Sequence, residues 1–364
     1  EGPQGAAIKV LGVGGAGCNA VNRMIDYGLS GVEYAAINTD IQALEESLAQ
    51  SRVQIGVELT RGLGCGGSGE IGERAAVESE GLLRECVKDA DLVVVTAGMG
   101  GGTGSGAAPV TARFAREAGT PLTLGVVTTP FAFEGRRRLV ASEAAVSELS
   151  QYVDSLVVVP NNNLLGLVPE NTPLKESFNV ADDVLRQAVQ AVTDIITVPG
   201  LVNVDFADVQ AVMQNSGTAM LGMGEASGRS RAEDAAYAAS NAPLLDQSIQ
   251  SANGIVFNVT GGEDMTLSEI NTVSEVVTSL ADPSANIIFG AVVDPAMRGT
   301  LKVTIIATGF GMGQAGAGMG AESGAALPPF SIPTQESPLP ASVVPPPLEQ
   351  PQQQAAGKTF PWLR

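Results

Sequence analysis

Short apolar runs alternate with longer amphipathic segments along the first half of the chain. Runs rich in Val, Ile and Leu predict strands that are buried on both faces, and these runs are Ile8–Val13, Val32–Ile37, Leu92–Thr96, Leu122–Thr128 and Ser155–Val159. Helical periodicity predicts helices between the strands, at Ala16–Tyr27, Ile71–Lys88, Ala108–Ala118 and Arg136–Ser150. Such alternation indicates a mostly parallel sheet covered by helices.

A long amphipathic pattern from Leu174 to Thr197 predicts a helix that joins two domains. The pattern beyond it predicts a second α/β region, with helices at Asp205–Asn215, Ser230–Asn241 and Leu267–Leu280 and strands at Gly254–Val259, Ile287–Val293 and Leu301–Thr308. After Phe310 the chain is dominated by Gly, Ala, Gln and Pro, which predicts a disordered linker. The final segment, Lys358–Arg364, contains the only Trp of the chain and is typical of a docking peptide.

Composition narrows the possible chemistry. The chain of 364 residues has a formal net charge of −19, which disfavours nucleic acid and anionic membranes as direct partners. No uninterrupted apolar run is long enough to span a bilayer, so direct membrane insertion is not expected. Histidine is absent, which excludes Ser-His-Asp and Cys-His catalysis and histidine metal sites. The three cysteines are few and odd in number, so they do not form a disulfide framework, and they indicate a reducing compartment.

A glycine-rich loop over Gly98–Gly106 follows the strand predicted at Leu92–Thr96 and precedes a predicted helix. Glycine allows the backbone to approach an anion, and the free N–H groups of a first helical turn then point at it. Pro109 suits that first turn, where its missing N–H is not needed. The loop lacks the Gly-Lys-Ser/Thr ending of a P-loop, but it predicts a phosphate site.

A second glycine loop follows the first strand. Gly12, Gly14 and Gly17 have the spacing of a dinucleotide-binding fingerprint, and Asp40 could supply its acid. An NAD-dependent oxidoreductase is therefore an alternative. It does not account for the Gly98–Gly106 loop, and no histidine is present to act as the acid in hydride transfer.

Charged residues beyond the glycine loops offer further candidates. Glu134 could accept hydrogen bonds from ribose hydroxyls and Arg138 could reach a phosphate or base, although Arg136–Arg138 could equally be a solvated helix face. Asp205 and Asp208 could be the acidic first turn of a capped helix. They could also be a carboxylate pair that polarises water or holds a cation. They lie far in sequence from the glycine loops.

These motifs together resemble the tubulin/FtsZ family, and FtsZ in particular, over about Ile8 to Phe310. The resemblance rests on a set of matching segments, which are Gly12–Asn19, Asn38–Asp40, Gly98–Gly106, Thr129–Gly135, Asn203–Asp208 and Ala307–Phe310. It implies a GTPase that polymerises head to tail into filaments forming a division ring. A GTP-binding scaffold without significant turnover is a further alternative.

The resemblance also implies roles for individual residues. The expected contacts to GTP or GDP are Gly15, Ala16, Gly17, Cys18, Asn19, Gly102, Thr103, Gly104, Glu134, Arg138, Asn161 and Asp182. Asn203, Asp205 and Asp208 are expected to reach the nucleotide of the next subunit and activate the hydrolytic water. Mg²⁺ is expected to offset phosphate charge, and the C-terminal peptide to bind a membrane-tethered division protein.

The implied domain organisation has five segments, which are a GTP-binding domain at 1–173, a central helix at 174–198, a C-terminal α/β domain at 199–310, a linker at 311–357 and a docking peptide at 358–364. Cys18 and Ser30–Glu33 resemble the plastid and cyanobacterial branch most closely. With the missing initiator Met, they favour the plastid stroma over a bacterial cytoplasm. Three departures from the family pattern are Ala16 for Gly, Asn162 for Asp and Ser68-Gly69 for Asn-Pro.

Overall fold

The structure is a computed structural model that describes residues 6–29, 31–164, 173–197, 205–242 and 249–310, with the backbone alone for 174–178. These residues belong to one compact unit. The predicted linker and docking peptide lie outside them, as does Asn203. The predicted domain boundaries stay predictions.

A single mixed sheet forms the centre of the described residues. Its strands are β1 (Ile8–Val13), β2 (Val32–Asn38), β3 (Ser51–Gln54), β4 (Leu92–Gly98), β5 (Leu122–Thr129), β6 (Ser155–Pro160), β7 (Gly217–Ser227), β8 (Gly254–Gly261), β9 (Asn286–Val293) and β10 (Thr300–Thr308). They are ordered β3-β2-β1-β4-β5-β6-β7-β10-β8-β9, and all neighbours are parallel except that β10 is antiparallel to both β7 and β8. The predicted mostly parallel α/β fold is therefore confirmed.

Twelve α-helices lie among the described residues. They are α1 (Gly14–Tyr27), α2 (Ile41–Glu45), α3 (Val57–Thr60), α4 (Gly69–Glu78), α5 (Glu80–Val87), α6 (Gly102–Glu117), α7 (Arg136–Leu149), α8 (Asn161–Leu164), α9 (Leu174–Thr197), α10 (Phe206–Met213), α11 (Arg231–Ser240) and α12 (Leu267–Leu280). Helices α1 and α9 share an apolar core with one face of the first strands, and α4 to α7 pack on the other face. Helices α11 and α12 cover β8 and β10.

Two of the predicted helices differ from the structure. The helix predicted to begin at Ala108 begins at Gly102, so Pro109 lies inside it and not in its first turn. The helix predicted over Ile71–Lys88 is divided in two at Ser79. The Ser79 hydroxyl accepts a 3.0 Å hydrogen bond from the Gly56 N–H, so a tertiary contact accompanies the break.

Candidate nucleotide-binding site

A cleft of about 290 Å³ opens at the carboxyl ends of the parallel strands β1, β4, β5 and β6. Its walls are built from the loops that follow these strands and from α9, and the lining residues are Gly15, Ala16, Gly98, Met99, Gly101, Gly102, Thr103, Gly104, Thr128, Pro130, Glu134, Arg138, Asn161, Ala181 and Asp182. Ligands of open α/β sheets bind at this edge. The two predicted glycine loops meet here because β1 and β4 are neighbours.

The first turn of α6 supplies backbone donors on one side of the cleft. Gly101 is its N-cap residue and makes no side-chain cap. The N–H groups of the first turn of a helix have no partner within the helix, and the helix dipole makes that end attractive to anions. The preceding turn is fixed by Ser105, whose hydroxyl accepts a 2.8 Å hydrogen bond from the Gly100 N–H. The arrangement suits a phosphate.

Gly104 allows the close approach that shapes this turn. A Cβ atom on Gly104 would lie 2.5 Å from the carbonyl oxygen of Gly98. The end of β4 and the start of α6 can therefore approach each other only if this residue has no side chain. The sequence pattern of glycines is thus explained by backbone packing as well as by access for the ligand.

The side chain of Thr103 contacts buried polar groups. Its hydroxyl lies 2.7 Å from the hydroxyl of Thr39, and the thiol of Cys65 lies 3.3 Å from the same Thr39 oxygen. Thr39 and Cys65 are buried, and neither was predicted as a site residue. Thr39, Cys65 and Thr103 are far apart in the sequence, and the fold brings them together.

Polar side chains line the wall of the cleft opposite the glycine loops. Glu134, which precedes α7, forms an ion pair with Arg138 in the first turn of that helix, and its other oxygen accepts a 2.9 Å hydrogen bond from the Phe131 N–H. Asn161 is buried, and its Oδ1 atom has no hydrogen-bond partner among the described residues. An unpartnered buried acceptor on a cleft wall indicates a donor supplied by a ligand or by water.

Asp182 on α9 completes the wall. Its carboxylate lies 3.7 Å from the Nε atom of Arg23 on α1. Burial raises the pKa of Asp182 to about 6, and Arg23 opposes that rise. A carboxylate so placed can accept two hydrogen bonds from a purine that presents adjacent N–H groups.

Three predicted contacts do not line the cleft. Gly17 is packed against β4, where an added Cβ would lie 2.4 Å from the Thr96 carbonyl oxygen. The thiol of Cys18 points into the core and donates to the Gly12 carbonyl oxygen at 3.5 Å, and burial raises its pKa to about 12. Asn19 is exposed on α1. Asp40, the acid considered for a dinucleotide site, instead caps α2 by accepting from the Gln42 N–H at 2.9 Å.

The departures from the family pattern have local explanations. The Ala16 methyl group occupies space beside Gly98, where an added Cβ would lie 2.7 Å from it. Asn162 accepts a 2.9 Å hydrogen bond from the Ala132 N–H through Oδ1, a role that a carboxylate could also perform. Ser68 is the N-cap residue of α4 and accepts from the Ile71 N–H at 3.5 Å.

Asp205 and Asp208 lie at the opposite edge of the sheet from the cleft. Helix α10 is attached there by Gln210, whose side chain donates to the carbonyl oxygen of Pro121 just before β5. The cleft lies beyond the other end of β5, a strand of eight residues that spans about 25 Å. The two acids are exposed, and Asp205 is the N-cap residue but makes no capping side-chain hydrogen bond. Neither can reach the cleft of its own subunit.

No helix in the described part of the chain is long and apolar enough to cross a membrane. Across residues 6–29, 31–164, 173–197, 205–242 and 249–310, no group of three or more His, Cys, Asp or Glu side chains could hold a metal ion.

Comparisons with known proteins identify the fold. The model of the tubulin/FtsZ family GTPase domain matches residues 7–169, and that of the FtsZ family C-terminal domain matches residues 217–311. An empty FtsZ dimer from M. jannaschii is 46% identical with a TM-score of 0.81, covering 84% of this chain and 88% of that one. A mutant of the M. jannaschii FtsZ is 45% identical with a TM-score of 0.82, covering 84% and 92%.

A more distant structure has the same fold. CetZ2 from Haloferax volcanii, solved as a GTPγS-bound protofilament, is 22% identical with a TM-score of 0.69, covering 83% of this chain and 92% of that one. The two family models and the FtsZ structures agree over both halves of the sheet. The chain therefore belongs to the FtsZ family of tubulin-like GTPases.

Proposed function

We propose that this protein binds and hydrolyses GTP and polymerises head to tail, with each active site completed by the next subunit. The observation that supports it most is the separation of two sets of groups. The phosphate-binding turn lies at the carboxyl edge of the sheet, and the exposed acids Asp205 and Asp208 lie at the amino edge. Stacking of subunits in one orientation brings the two edges together.

The proposed roles of the residues follow from the chemistry of phosphoryl transfer. Positioning and charge stabilisation provide most of the catalysis. The α6 N-terminus and Thr103 would bind the phosphates, Glu134 and Arg138 the ribose, and Asp182 the guanine. Asp205 and Asp208, with Asn203, would orient the attacking water from the neighbouring subunit. Mg²⁺ would neutralise charge on the phosphates.

A head-to-tail contact that does not close on itself produces a filament. The related structures described above include an FtsZ dimer and a CetZ2 protofilament. The filament would form a division ring, and the peptide 358–364 would attach it to a membrane-tethered division protein. The Cys18 and Ser30–Glu33 motifs support a plastid or cyanobacterial type, and we propose the plastid stroma as its location.

Light scattering and phosphate release, measured together on the full chain, test the proposal. With GTP and Mg²⁺, scattering should rise above a critical protein concentration, and turnover per subunit should rise with it. GDP should give neither. A turnover that is independent of protein concentration would contradict completion between subunits. Assembly without phosphate release would instead support a GTP-binding scaffold.

The division role needs a separate test in cells. A fluorescent fusion directed to plastids should collect in a ring at the division site, and removal of residues 358–364 should reduce its attachment there. A fusion that stays diffuse in plastids, while assembling normally in solution, would contradict the proposed location but not the proposed chemistry.

A further inference from the structure

Arg23 connects the two helices that bear opposite ends of the nucleotide cleft. Helix α1 begins at the glycine loop after β1, and α9 contains Asp182. The Arg23 side chain lies between them, with Nη2 donating to the Asn179 Oδ1 atom at 2.5 Å and Nε lying 3.7 Å from Asp182 Oδ2. One guanidinium therefore contacts two residues, one helical turn apart, on α9.

We propose that Arg23 is a positioning residue for base recognition, because it holds Asp182 ionised and oriented so that the carboxylate can accept the paired N–H donors of guanine. This inference rests on the proposed GTP function. Arg23 does not line the cleft and would act through Asp182.

The surroundings of Asp182 favour its protonated form, so a nearby positive charge is needed to keep the carboxylate ionised. The Asp182 side chain is only 14% exposed, and no other cation lies within 4.0 Å of it in the described part of the chain. Burial alone favours the protonated acid, and a protonated carboxyl loses one acceptor and presents a donor to the base. Arg23 lowers the pKa of Asp182 from what burial would otherwise impose, because its positive charge lies 3.7 Å from the carboxylate.

The cation one turn further along α9, Arg186, pairs with a different carboxylate. The neighbouring carboxylate of Asp183 pairs with Arg186 at 2.7 Å, so that cation is already engaged. A lysine at position 23 would restore the charge but not the fork that reaches Asn179 and Asp182 together. Charge and geometry can therefore be separated by substitution.

The test measures the GTP dissociation constant of the full chain from pH 5 to pH 9 for the wild type, Arg23→Met and Arg23→Lys. Arg113→Met is the matched control, because its side chain is 36% exposed against 34% for Arg23 and it also lies 3.7 Å from a carboxylate, that of Glu117. ITP, which lacks the 2-amino group of guanine, is titrated alongside to report on base recognition.

Removal of the guanidinium should move the acidic limb of the binding profile to higher pH. At a pH where Asp182 is mostly protonated in both proteins, Arg23→Met should bind GTP more weakly than the wild type. The factor should be up to about tenfold for each unit by which the substitution raises the Asp182 pKa. Affinity should recover towards the wild-type value near pH 9, and the preference for GTP over ITP should fall most at neutral pH. Arg23→Lys should lie between the two, and Arg113→Met should follow the wild type.

Two results would overturn the inference. One is an Arg23→Met profile that matches the wild type. The other is a loss of affinity by the same factor at every pH, because a general loosening of the α1–α9 contact predicts that pattern. If the wild type itself binds no GTP, the proposed function fails and the inference fails with it, whereas the two results above overturn the inference alone.

Discussion

Replacement of Gly104 by alanine tests whether the close packing of the phosphate-binding turn determines nucleotide affinity. The added methyl group would lie 2.5 Å from the Gly98 carbonyl oxygen, a distance that must open to at least 3.0 Å. The Val13 carbonyl oxygen, 3.5 Å away on β1, leaves little room for the opposite movement. The start of α6 must therefore shift by about half an ångström relative to β4.

Two costs follow from that shift. Overpacking of a buried site costs about 1–3 kcal/mol of folding free energy. Misalignment of one N–H group that binds a phosphate would remove a charge-assisted hydrogen bond worth about 1.5–3 kcal/mol. GTP binding should accordingly weaken by roughly 10- to 150-fold.

Calorimetric titration with GTP and thermal unfolding followed by circular dichroism measure the two costs separately. Gly81→Ala is the matched control, because it adds the same methyl group to an exposed position of α5 where nothing lies within 4 Å. It should leave GTP binding unchanged and raise stability by about 0.5–1 kcal/mol. A Gly104→Ala protein that binds GTP within threefold of the wild type would refute the reasoning.

Three further predictions concern residues around the site and the core. Burial raises the pKa of Asp194 to about 6, so its protonation favours the folded state. Asp194→Asn should therefore raise the unfolding temperature at pH 8, with the difference shrinking towards pH 5; a constant difference would argue against the titration. Asn162→Asp should change the unfolding temperature by less than about 2 °C, since either side chain can accept from Ala132, and a larger loss would show that the amide has another role. Iodoacetamide at pH 8 should modify half-buried Cys86 before Cys18, whose thiol is buried with a pKa near 12; equal rates, read by peptide mass spectrometry, would contradict the packing.

The elements with strong periodic patterns could be predicted from the sequence, and those governed by tertiary contacts could not. Strand β1 and helices α9 and α12 have the predicted bounds. Strand β7 was missed because Gly217–Ser227 contains three glycines and few β-branched residues. Strand β3 was missed because it is short and polar, as edge strands often are.

The candidate site shows the same contrast. Glycine spacing predicted both loops that border the cleft, and the structure brings them together because β1 and β4 are neighbours. It could not show that α6 begins inside the second loop, because glycine is a poor helix former and the helix there is stabilised by packing. The contact of Thr39 and Cys65 with Thr103, and of Arg23 with Asp182, depends on residues that are distant in sequence.

Mixing two defective variants tests most directly whether each active site is shared between subunits. Asp208→Ala keeps an intact cleft, and Gly104→Ala keeps intact acids while binding GTP poorly. At a GTP concentration that fills only the intact cleft, neither variant should release phosphate at an appreciable rate alone. In an equal mixture, roughly a quarter of head-to-tail contacts would join an intact cleft to intact acids. The account predicts that phosphate release returns to about that fraction of the wild-type rate, and a mixture no more active than its separate components would contradict it.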